Sequence, residues 1–140
     1  MKGLQFKIDG DWAHFKKPET NNNPLSHDLI PKTALIGMIG AVLGIEREKM
    51  KSLFPQLSED LLYGVELLKP VKKASCGFTS HTAITPTAIK SPKAFEMLRD
   101  VSYKVCVGLY GERSQSIFYE FQKAILEGYA IYDPYLGIAN

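Results

Sequence analysis

Hydrophobic and polar residues alternate at the start of the chain. From Leu4 to Ile8 every second residue is apolar, which predicts a strand with one face in water. Gly10-Asp11 is expected to interrupt this strand as a bulge or turn would. The polar residues 16–28 that follow predict a surface loop, or a segment that becomes ordered on a partner.

A glycine-bearing helix is predicted to start at Pro31, because proline favours the first turn of a helix. Its apolar residues recur at helical spacing, at Leu35, Met38, Ile39 and Val42. Small residues form a second face, at Gly37, Gly40, Ala41 and Gly44. Glycine inside a helix costs about 0.5–1 kcal/mol relative to alanine, so we expect another element to approach this face closely, and a sheet is the favoured one.

Shorter elements are predicted in the middle of the chain. Residues 47–54 favour a second helix that stops at Pro55, and residues 58–60 favour a turn or a further helix start. Residues 63–69 favour an edge strand or a hairpin, because Pro70 limits pairing in a central position.

The second half of the chain adds an insertion, a strand and a helix. Residues 71–93, rich in lysine, serine, threonine and glycine, predict an extended hairpin or mobile insertion. Residues 101–109 alternate most regularly and predict the best strand. Residues 117–128 predict an amphipathic helix that ends at a glycine. Residues 134–137 have the composition of a turn that leads into further sequence.

This order of elements predicts an α+β domain over residues 1–140, with helices on one face of an antiparallel sheet. The nearest simple arrangement is the ferredoxin-like, RRM-type fold, with a hairpin inserted at residues 71–93. The composition agrees with one globular domain, because 45% of the 140 residues are hydrophobic and 23% are charged. We expect the domain to be incomplete at its C-terminus.

A soluble, cytoplasmic protein is expected. The N-terminus has no apolar signal region, and the longest apolar stretch, residues 34–45, is far shorter than the ~20 residues that cross a bilayer. The two cysteines, Cys76 and Cys106, suit a reducing compartment. The net charge of +2 is too small to require a nucleic-acid partner, so a basic surface would have to come from local clustering.

Metal, cofactor and nucleophile chemistry find little support in the sequence. His14, His27 and His81 are widely separated and lack neighbouring ligands, so we expect neither a metal nor a cofactor. The glycines of residues 37–40 lie within a predicted helix and lack the lysine and hydroxyl of a phosphate-binding loop. Cys76 with His81 is the nearest approach to a nucleophile pair.

Aromatic and cationic residues occur together in several places. Proteins that bind single-stranded RNA stack rings on bases beside cations that meet phosphates. The candidates for this role are Trp12, His14, Phe15, Lys16, Lys17, Lys32, Thr33, Lys72, Lys73 and Lys104. Each has a structural alternative, because Trp12 and Phe15 would also complete a core, Lys32-Thr33 would also begin a helix, and the other lysines would also lie in solvent.

Two stretches of the sequence resemble Cas5 proteins of the type I-B kind. They are FKIDGDWAHFKKPETN at residues 6–21 and IPKTALIGMIGAVLGI at residues 30–45, with Pro24-Leu25-Ser26 between them. The resemblance is strong over residues 4–45 and weaker over residues 63–109, and Tyr135-Leu136-Gly137 resembles a family turn. Family members are usually longer than this chain.

The resemblance implies an RRM-like fold with an inserted thumb hairpin, in the CRISPR antiviral complex called Cascade. Cas5 proteins hold the 5′ handle of the guide RNA (crRNA), beside the Cas7 backbone subunit and the large subunit. By the same resemblance, residues 12–17 and Lys32-Thr33 would face the handle, and residues 71–93 would form the thumb.

Three functions follow as alternatives. The first is a non-catalytic subunit that binds the crRNA handle and helps to nucleate assembly. The second is a metal-independent endoribonuclease that processes precursor crRNA, as some Cas5 proteins do, with candidate residues His81, His14, Lys72, Lys73 and Tyr63. The third is a protein-interaction module without direct RNA binding, whose partner affinity would not depend steeply on salt.

Overall fold

The chain forms an antiparallel sheet that packs against helices. The computed structural model describes residues 2–18, 25–81, 90–134 and 136, and their side chains except those of residues 78–81 and 90–95. The elements in chain order are β1 (Lys2–Ala13), α1 (Lys32–Leu43), α2 (Arg47–Asp60), β2 (Leu61–Leu67), β3 (Lys73–His81), β4 (Lys90–Leu109) and α3 (Gln115–Glu127). They confirm the predicted α+β, ferredoxin-like class. Among the described helices, none is long and apolar enough to cross a membrane.

β4 is the central strand of the sheet. It pairs with β1 along one side over residues 98–109. β2 pairs with the other side over residues 103–109. Leu98 pairs with both Ala13 of β1 and Lys73 of β3, so β3 continues along the same side of β4 as β2. All these pairings are antiparallel, and over residues 103–109 they give β4 a hydrogen-bonded neighbour on each side.

β3 and the first part of β4 form a two-stranded ribbon, residues 73–81 with residues 90–98, which extends past the end of β1. The link between β2 and β3 stays beside β4, because Leu68 N–H donates to Ser102 O at 2.9 Å. Pro70 lies in this link, and β2 is an edge strand of the described sheet, as predicted.

One face of the sheet carries the hydrophobic core. Alternate residues of β4 are buried on this face: Val101, Tyr103, Val105, Val107 and Leu109. Phe6 of β1 meets Phe121 of α3 edge-on, with 5.5 Å between the ring centroids. Between the buried positions of β4 lie Lys104 and the exposed Cys106, so the other face of the sheet is open there. Ser102 on the same face is buried, and its hydroxyl donates to Asp9 Oδ1 at 2.6 Å.

The glycine face of α1 does not pack on the sheet, so that expectation is wrong. The sheet side of α1 is occupied by its large apolar residues: Leu35, Ile36, Met38, Ile39 and Val42. Gly40 faces α2, where a methyl group would lie 2.8 Å from Met50 Sδ. Gly44 ends the helix with a φ of 69°, and a methyl group there would lie 2.6 Å from Ile131 Cγ2. The small residues therefore admit α2 and the chain after α3.

The expected interruption of the first strand does not break it. β1 runs through Gly10-Asp11 with the same register on both sides. The buried positions do change there, from even-numbered residues such as Ile8 to odd-numbered ones such as Ala13. Asp100 lies opposite this point with a φ of 52°, a left-handed conformation that reorients the backbone of β4.

α2 does not stop at Pro55, contrary to the sequence prediction, but continues to Asp60. Pro55 lies on the exposed side of the helix, so its ring needs no room in the core. Proline removes one backbone donor from the helix, and contacts beyond it compensate for that loss. Residues 58–60 are therefore the last turn of α2 and do not begin a new element.

Asp60 joins the end of α2 to the start of α3. Its carboxylate accepts bonds from Arg113 Nη2 at 2.8 Å, Arg113 Nε at 3.0 Å and Ser114 Oγ at 2.6 Å. Gln56 Nε2 donates to the same Ser114 hydroxyl at 3.0 Å. The bonds from Arg113, and then from Ser114, lower the pKa of Asp60 below its ordinary value of 3.8.

We expect Asp60→Asn to lower the melting temperature at neutral pH, because an amide has one acceptor oxygen where the carboxylate receives three bonds. A carboxylate with a lowered pKa stabilises the fold above its ordinary pKa of 3.8 and loses this contribution as pH falls through the lowered value. Melts followed by circular dichroism should therefore show the gap between wild type and variant narrowing below about pH 4. Glu59→Gln changes an exposed partner of Arg113 and is the control; equal losses in both variants would contradict the role of Asp60.

Candidate nucleic-acid interface

The chain on the two sides of residues 18–24 pairs with itself after β1 ends. Lys16 and Ser26 form an antiparallel bridge. His27 N–H donates to Phe15 O at 2.7 Å, and Lys17 N–H donates to Leu25 O at 2.9 Å. We call residues 14–17 and 25–28 the paired loop. Residues 19–24 of the predicted surface loop lie outside the described residues.

Ser26 and Glu96 attach the paired loop to β4. The buried Ser26 hydroxyl accepts the Phe15 N–H at 3.0 Å and donates to His27 O at 2.9 Å. Ser26 N–H donates to Glu96 Oε1 at 3.2 Å. His14 Nδ1 lies 2.6 Å from Glu96 O, and because a carbonyl oxygen only accepts, Nδ1 is the donor. Buried polar groups need such partners, so these contacts hold the loop in place.

Tyr103 supports the paired loop from the core. Its ring is fully buried and lies 6.3 Å from that of Phe15, measured between centroids. Its hydroxyl donates to Asp28 O at 2.8 Å. Burial raises the pKa of Tyr103 to about 12, so the hydroxyl remains a neutral donor at physiological pH.

Lys73 connects the base of the ribbon to the paired loop. Its Nζ lies 2.9 Å from Asp28 Oδ1 and 3.5 Å from Glu96 Oε1. The hydrogen bond with Asp28 is the main cause that raises the pKa of Lys73, so the ammonium stays charged. The side chain is 39% exposed, and ion pairs this open to water contribute only about 0–1 kcal/mol. An incoming phosphate can therefore compete with Asp28 for Lys73.

A cavity of about 520 Å³ with both polar and apolar walls opens where the paired loop, β2 and the ribbon meet; we call it the junction cavity. Its lining combines cations, an aromatic ring and the entry to α1: Lys17, His27, Asp28, Leu29, Ile30, Pro31, Tyr63 and Lys73. Tyr63, on the edge strand β2, is 39% exposed and offers a ring to the cavity. The structure thus brings together Lys17, Lys73 and Tyr63, which the sequence separates widely.

His27 is a cavity residue that the sequence analysis considered only as a metal ligand. A signal was available, because His27 lies in the same polar segment as Lys17 and immediately precedes Asp28. The pairing of residues 15–17 with residues 25–27, which brings the two ends of that segment together, could not be inferred from composition.

The other candidates near the paired loop have different environments. Phe15 is only 3% exposed and lies in the hydrophobic core, so its ring is not available to stack on a base, and we withdraw it from the RNA-binding set. Trp12 is half-buried and Lys16 is exposed. Lys72 is exposed near the ribbon, 4.0 Å from Asp100 Oδ2.

Lys32, Thr33 and Lys104 lie apart from the junction cavity. Lys32 Nζ donates to Ser58 O of α2 at 2.5 Å, so its ammonium is bound to the neighbouring helix. Thr33 lines a different cavity, between α1 and α2. Lys104 lies on the open face of the sheet, 3.6 Å from Glu66 Oε2. The structure therefore does not assemble Lys32 and Thr33 with the other candidates into one phosphate site.

The predicted thumb and final turn are only partly described. His81 ends β3, but its side chain and residues 82–89 lie outside the described structure, as do Tyr135 and Gly137 of the predicted final turn. Across residues 2–18, 25–81 and 90–134, no cluster of histidine, cysteine and acidic side chains could hold a metal ion.

Comparison with known proteins gives both a family and a fold. The sequence model of a family described as CRISPR-associated protein (Cas_Cas5) matches residues 3–105. A chain of a solved "CRISPR RNA-guided surveillance complex" has a TM-score of 0.69 and 17% identity, over 98% of this chain and 58% of that one. The functionally uncharacterized protein SMU1763c from Streptococcus mutans has a TM-score of 0.51 and 16% identity, over 99% and 62%. The chain thus spans less than two thirds of these two structures, and no curated protein matches its sequence.

We expect Tyr103→Phe to lower the free energy of unfolding by about 1–3 kcal/mol, because the variant leaves the Asp28 carbonyl without its donor from the core. Urea unfolding followed by fluorescence measures this loss. Tyr110→Phe removes the hydroxyl from a tyrosine that is 67% exposed and is the matched control. Equal stability of the two variants would contradict the support that we assign to Tyr103.

The same variant has a distinct pH dependence. A tyrosine whose pKa rises from 10.0 to about 12 stabilises the fold below pH 10 and loses this contribution as pH rises to about 12. Wild type should therefore lose stability through this group between pH 10 and 12, and Tyr103→Phe should lose less. Unfolding in urea at pH 9, 10 and 11 tests this, and parallel losses in both proteins would be evidence against it.

Proposed function

This chain belongs to the CRISPR-associated Cas5 family, and from that membership we propose that it is a non-catalytic subunit of a Cascade-type surveillance complex. In this proposal it binds the 5′ handle of crRNA and helps to nucleate assembly for antiviral defence in the cytoplasm. Its neighbours would be a Cas7 backbone subunit and the large subunit. The likeness of its fold to a chain of a CRISPR RNA-guided surveillance complex supports the proposal.

The junction cavity is the observation that carries RNA binding. Lys17, His27 and Lys73 supply charge and hydrogen-bond donors for phosphates, and Tyr63 supplies a ring on which a base can stack. Asp28 gives the cavity an acceptor, which can read the donor groups of a base edge or a ribose hydroxyl. Such a mixture suits a few nucleotides of single-stranded RNA better than a duplex.

RNA binding would change the ion-pair partners of Lys73. Without RNA its ammonium is shared between Asp28 and Glu96. A phosphate that takes over this lysine leaves Asp28 free to turn to solvent or to a ribose, since the ion pair is exposed and weak. The backbone of Asp28 stays fixed by Tyr103, so binding exchanges side-chain partners without unfolding the loop.

The ribbon is the proposed thumb. The sequence predicts the thumb at residues 71–93 of a single RRM-like domain, and the ribbon begins within that interval at Lys73. The ribbon projects past β1 beside the junction cavity, so RNA in the cavity would pass its base. Lys72 lies just before the ribbon and is exposed to meet the same strand.

The geometry favours binding over cleavage. His14 Nδ1 donates to a backbone carbonyl, and Lys73 is paired with two carboxylates, so both groups have structural partners. Cleavage would need a base for the 2′-hydroxyl and a cation at the scissile phosphate. Within the described side chains, the candidates for a processing activity are His14, Lys72, Lys73 and Tyr63. The RNA-cutting alternative is tested together with binding below.

Lys17→Ala and Lys73→Ala are each expected to weaken binding of a repeat RNA that carries the handle. Each removes one candidate phosphate contact, so the slope of log K against log salt should become shallower by about 0.7 per variant. Fluorescence anisotropy with a labelled RNA at several salt concentrations measures the slope. Lys123→Ala, at an exposed position of α3, is the control and should leave it unchanged. If Lys17→Ala and Lys73→Ala both kept the wild-type slope, the junction cavity would be excluded as the RNA-binding site.

Denaturing gels of the same mixtures distinguish the alternatives. Intact RNA with salt-sensitive binding is expected. A discrete cut that His14→Ala abolishes would replace the proposal with a processing endoribonuclease. Failure of the wild type to bind RNA at any salt concentration would favour the protein-interaction module.

Tyr63 should contribute by stacking. Tyr63→Ala is expected to weaken handle binding by about 1–3 kcal/mol, because a base loses its ring partner, whereas Tyr63→Phe keeps the ring and should bind like wild type. Anisotropy at one fixed salt concentration measures both. Equal weakening in the two variants would show that the hydroxyl, and not the ring, matters.

A further inference from the structure

A second cavity lies between α1 and α2. Its volume is about 810 Å³, and its walls are mainly apolar. Thr33, Gly37 and Ala41 line it at successive turns of α1, over a length of about 12 Å. Met50 and Phe54 line it from α2. We call this cavity the helical groove.

The chain after α3 closes part of the helical groove. Tyr132 lines the groove, and its N–H donates to Ala41 O at 2.9 Å. Ile131 N–H donates to Val42 O at 3.0 Å, so two carbonyls at the end of α1 are satisfied. The groove therefore has walls from both α2 and this segment, with the small residues of α1 between them.

Among the residues that the structure describes, none requires a glycine at position 37. A methyl group at Gly40 would lie 2.8 Å from Met50 Sδ, and Gly44 has a φ of 69°. At Gly37, by contrast, a methyl group would have no neighbour within 4 Å among the described atoms, and the residue is exposed in the middle of a helix. A glycine there weakens the helix relative to alanine, and the gain that it allows lies outside the described chain.

The rim of the helical groove is basic on the α2 side. Arg47 and Lys51 lie one turn apart, with Glu46 at the start of the helix. Lys51 Nζ is 3.5 Å from Glu48 Oε1, but both side chains are mostly exposed and the contact is weak. Arg47 has no ion pair with the described residues. Negative charge on an occupant would therefore be attracted to this rim.

We propose that the helical groove binds an amphipathic helix of a partner protein, with its apolar stripe against α1 and acidic side chains towards Arg47 and Lys51. The small residues of α1 let a second helix backbone approach closely, and Met50 and Phe54 supply the apolar contact. The apolar walls argue against RNA as the occupant, because a nucleic-acid groove needs many phosphate partners. This site does not depend on the junction cavity or on RNA binding.

The test uses the full chain and a designed probe. The probe is a labelled helical peptide of about 14 residues, long enough for the groove, with leucines along one face and glutamates beside them. A twin peptide carries lysine in place of every glutamate. We expect saturable anisotropy with the acidic peptide and about tenfold weaker binding of the basic twin. Arg47→Glu with Lys51→Glu should reverse this preference, while Lys123→Glu should not.

Gly37→Leu should block the acidic peptide by at least about tenfold, because its side chain fills the groove, while leaving the melting temperature equal or higher. Gly64→Leu is the matched control, since Gly64 is also exposed, with no neighbour within 4 Å of an added methyl group, but lies outside the groove. Handle RNA binding by Gly37→Leu should match wild type, which separates this proposal from the RNA one.

Three outcomes would overturn the proposal: no saturable binding of the acidic peptide, equal binding of both peptides, or full binding by Gly37→Leu. If Gly37→Leu fails to fold, the double variant Arg47→Glu with Lys51→Glu, whose two positions are exposed, tests the site instead. The site is rejected if this variant still prefers the acidic peptide to the basic one. Competition of handle RNA for the bound peptide would also reject it, by making the groove a nucleic-acid site.

Discussion

The pairing of β4 with every other described strand is the constraint on which the molecule depends. One part of β4, residues 98–109, pairs with β1 on one side and, over residues 103–109, with β2 on the other. Alternate residues of this part are buried in the core. The other part continues into the ribbon. Because one strand belongs to both, the direction of the ribbon is set by the same hydrogen bonds that build the core. Glu96 lies where the two parts meet, and it anchors the paired loop.

Regular periodicity made the main elements predictable, and tertiary contacts explain where prediction failed. Residues 101–109 form a paired strand with one buried face, so apolar and other residues alternate along it. This alternation makes the strand predictable from the sequence. Pro55 predicts the end of α2, because proline is disfavoured inside a helix. The helix continues to Asp60, since Asp60 accepts hydrogen bonds from Arg113 and Ser114, which are distant in sequence and stabilise the last turn. The glycines predict a close approach to α1, but the elements that approach Gly40 and Gly44 are α2 and the chain after α3, which come from other parts of the chain.

The sequence predicts the kind of candidate site better than it predicts which residues form it. A run of aromatic and basic residues after β1 pointed to this region, and Lys17, Lys73 and Tyr63 do line one cavity. Phe15 takes its structural alternative in the core, because the buried positions of β1 shift at Asp11, opposite the left-handed Asp100. A simple alternation does not anticipate this shift. Tyr103 lies in the predicted strand of residues 101–109, and the bond from its hydroxyl to Asp28 O shows that the core also positions the site.

The start of α1 separates the two cavities and limits how each can be used. Ile30 and Pro31 line the junction cavity, while Thr33, a few residues on, lines the helical groove. Ile30 and Leu35 are almost completely buried, so this turn is held by the core and cannot move far without cost. Lys32 Nζ bonds to Ser58 O and fastens the same turn to α2. In the two proposals made above, this rigid turn would keep an RNA in the junction cavity apart from a partner helix in the helical groove.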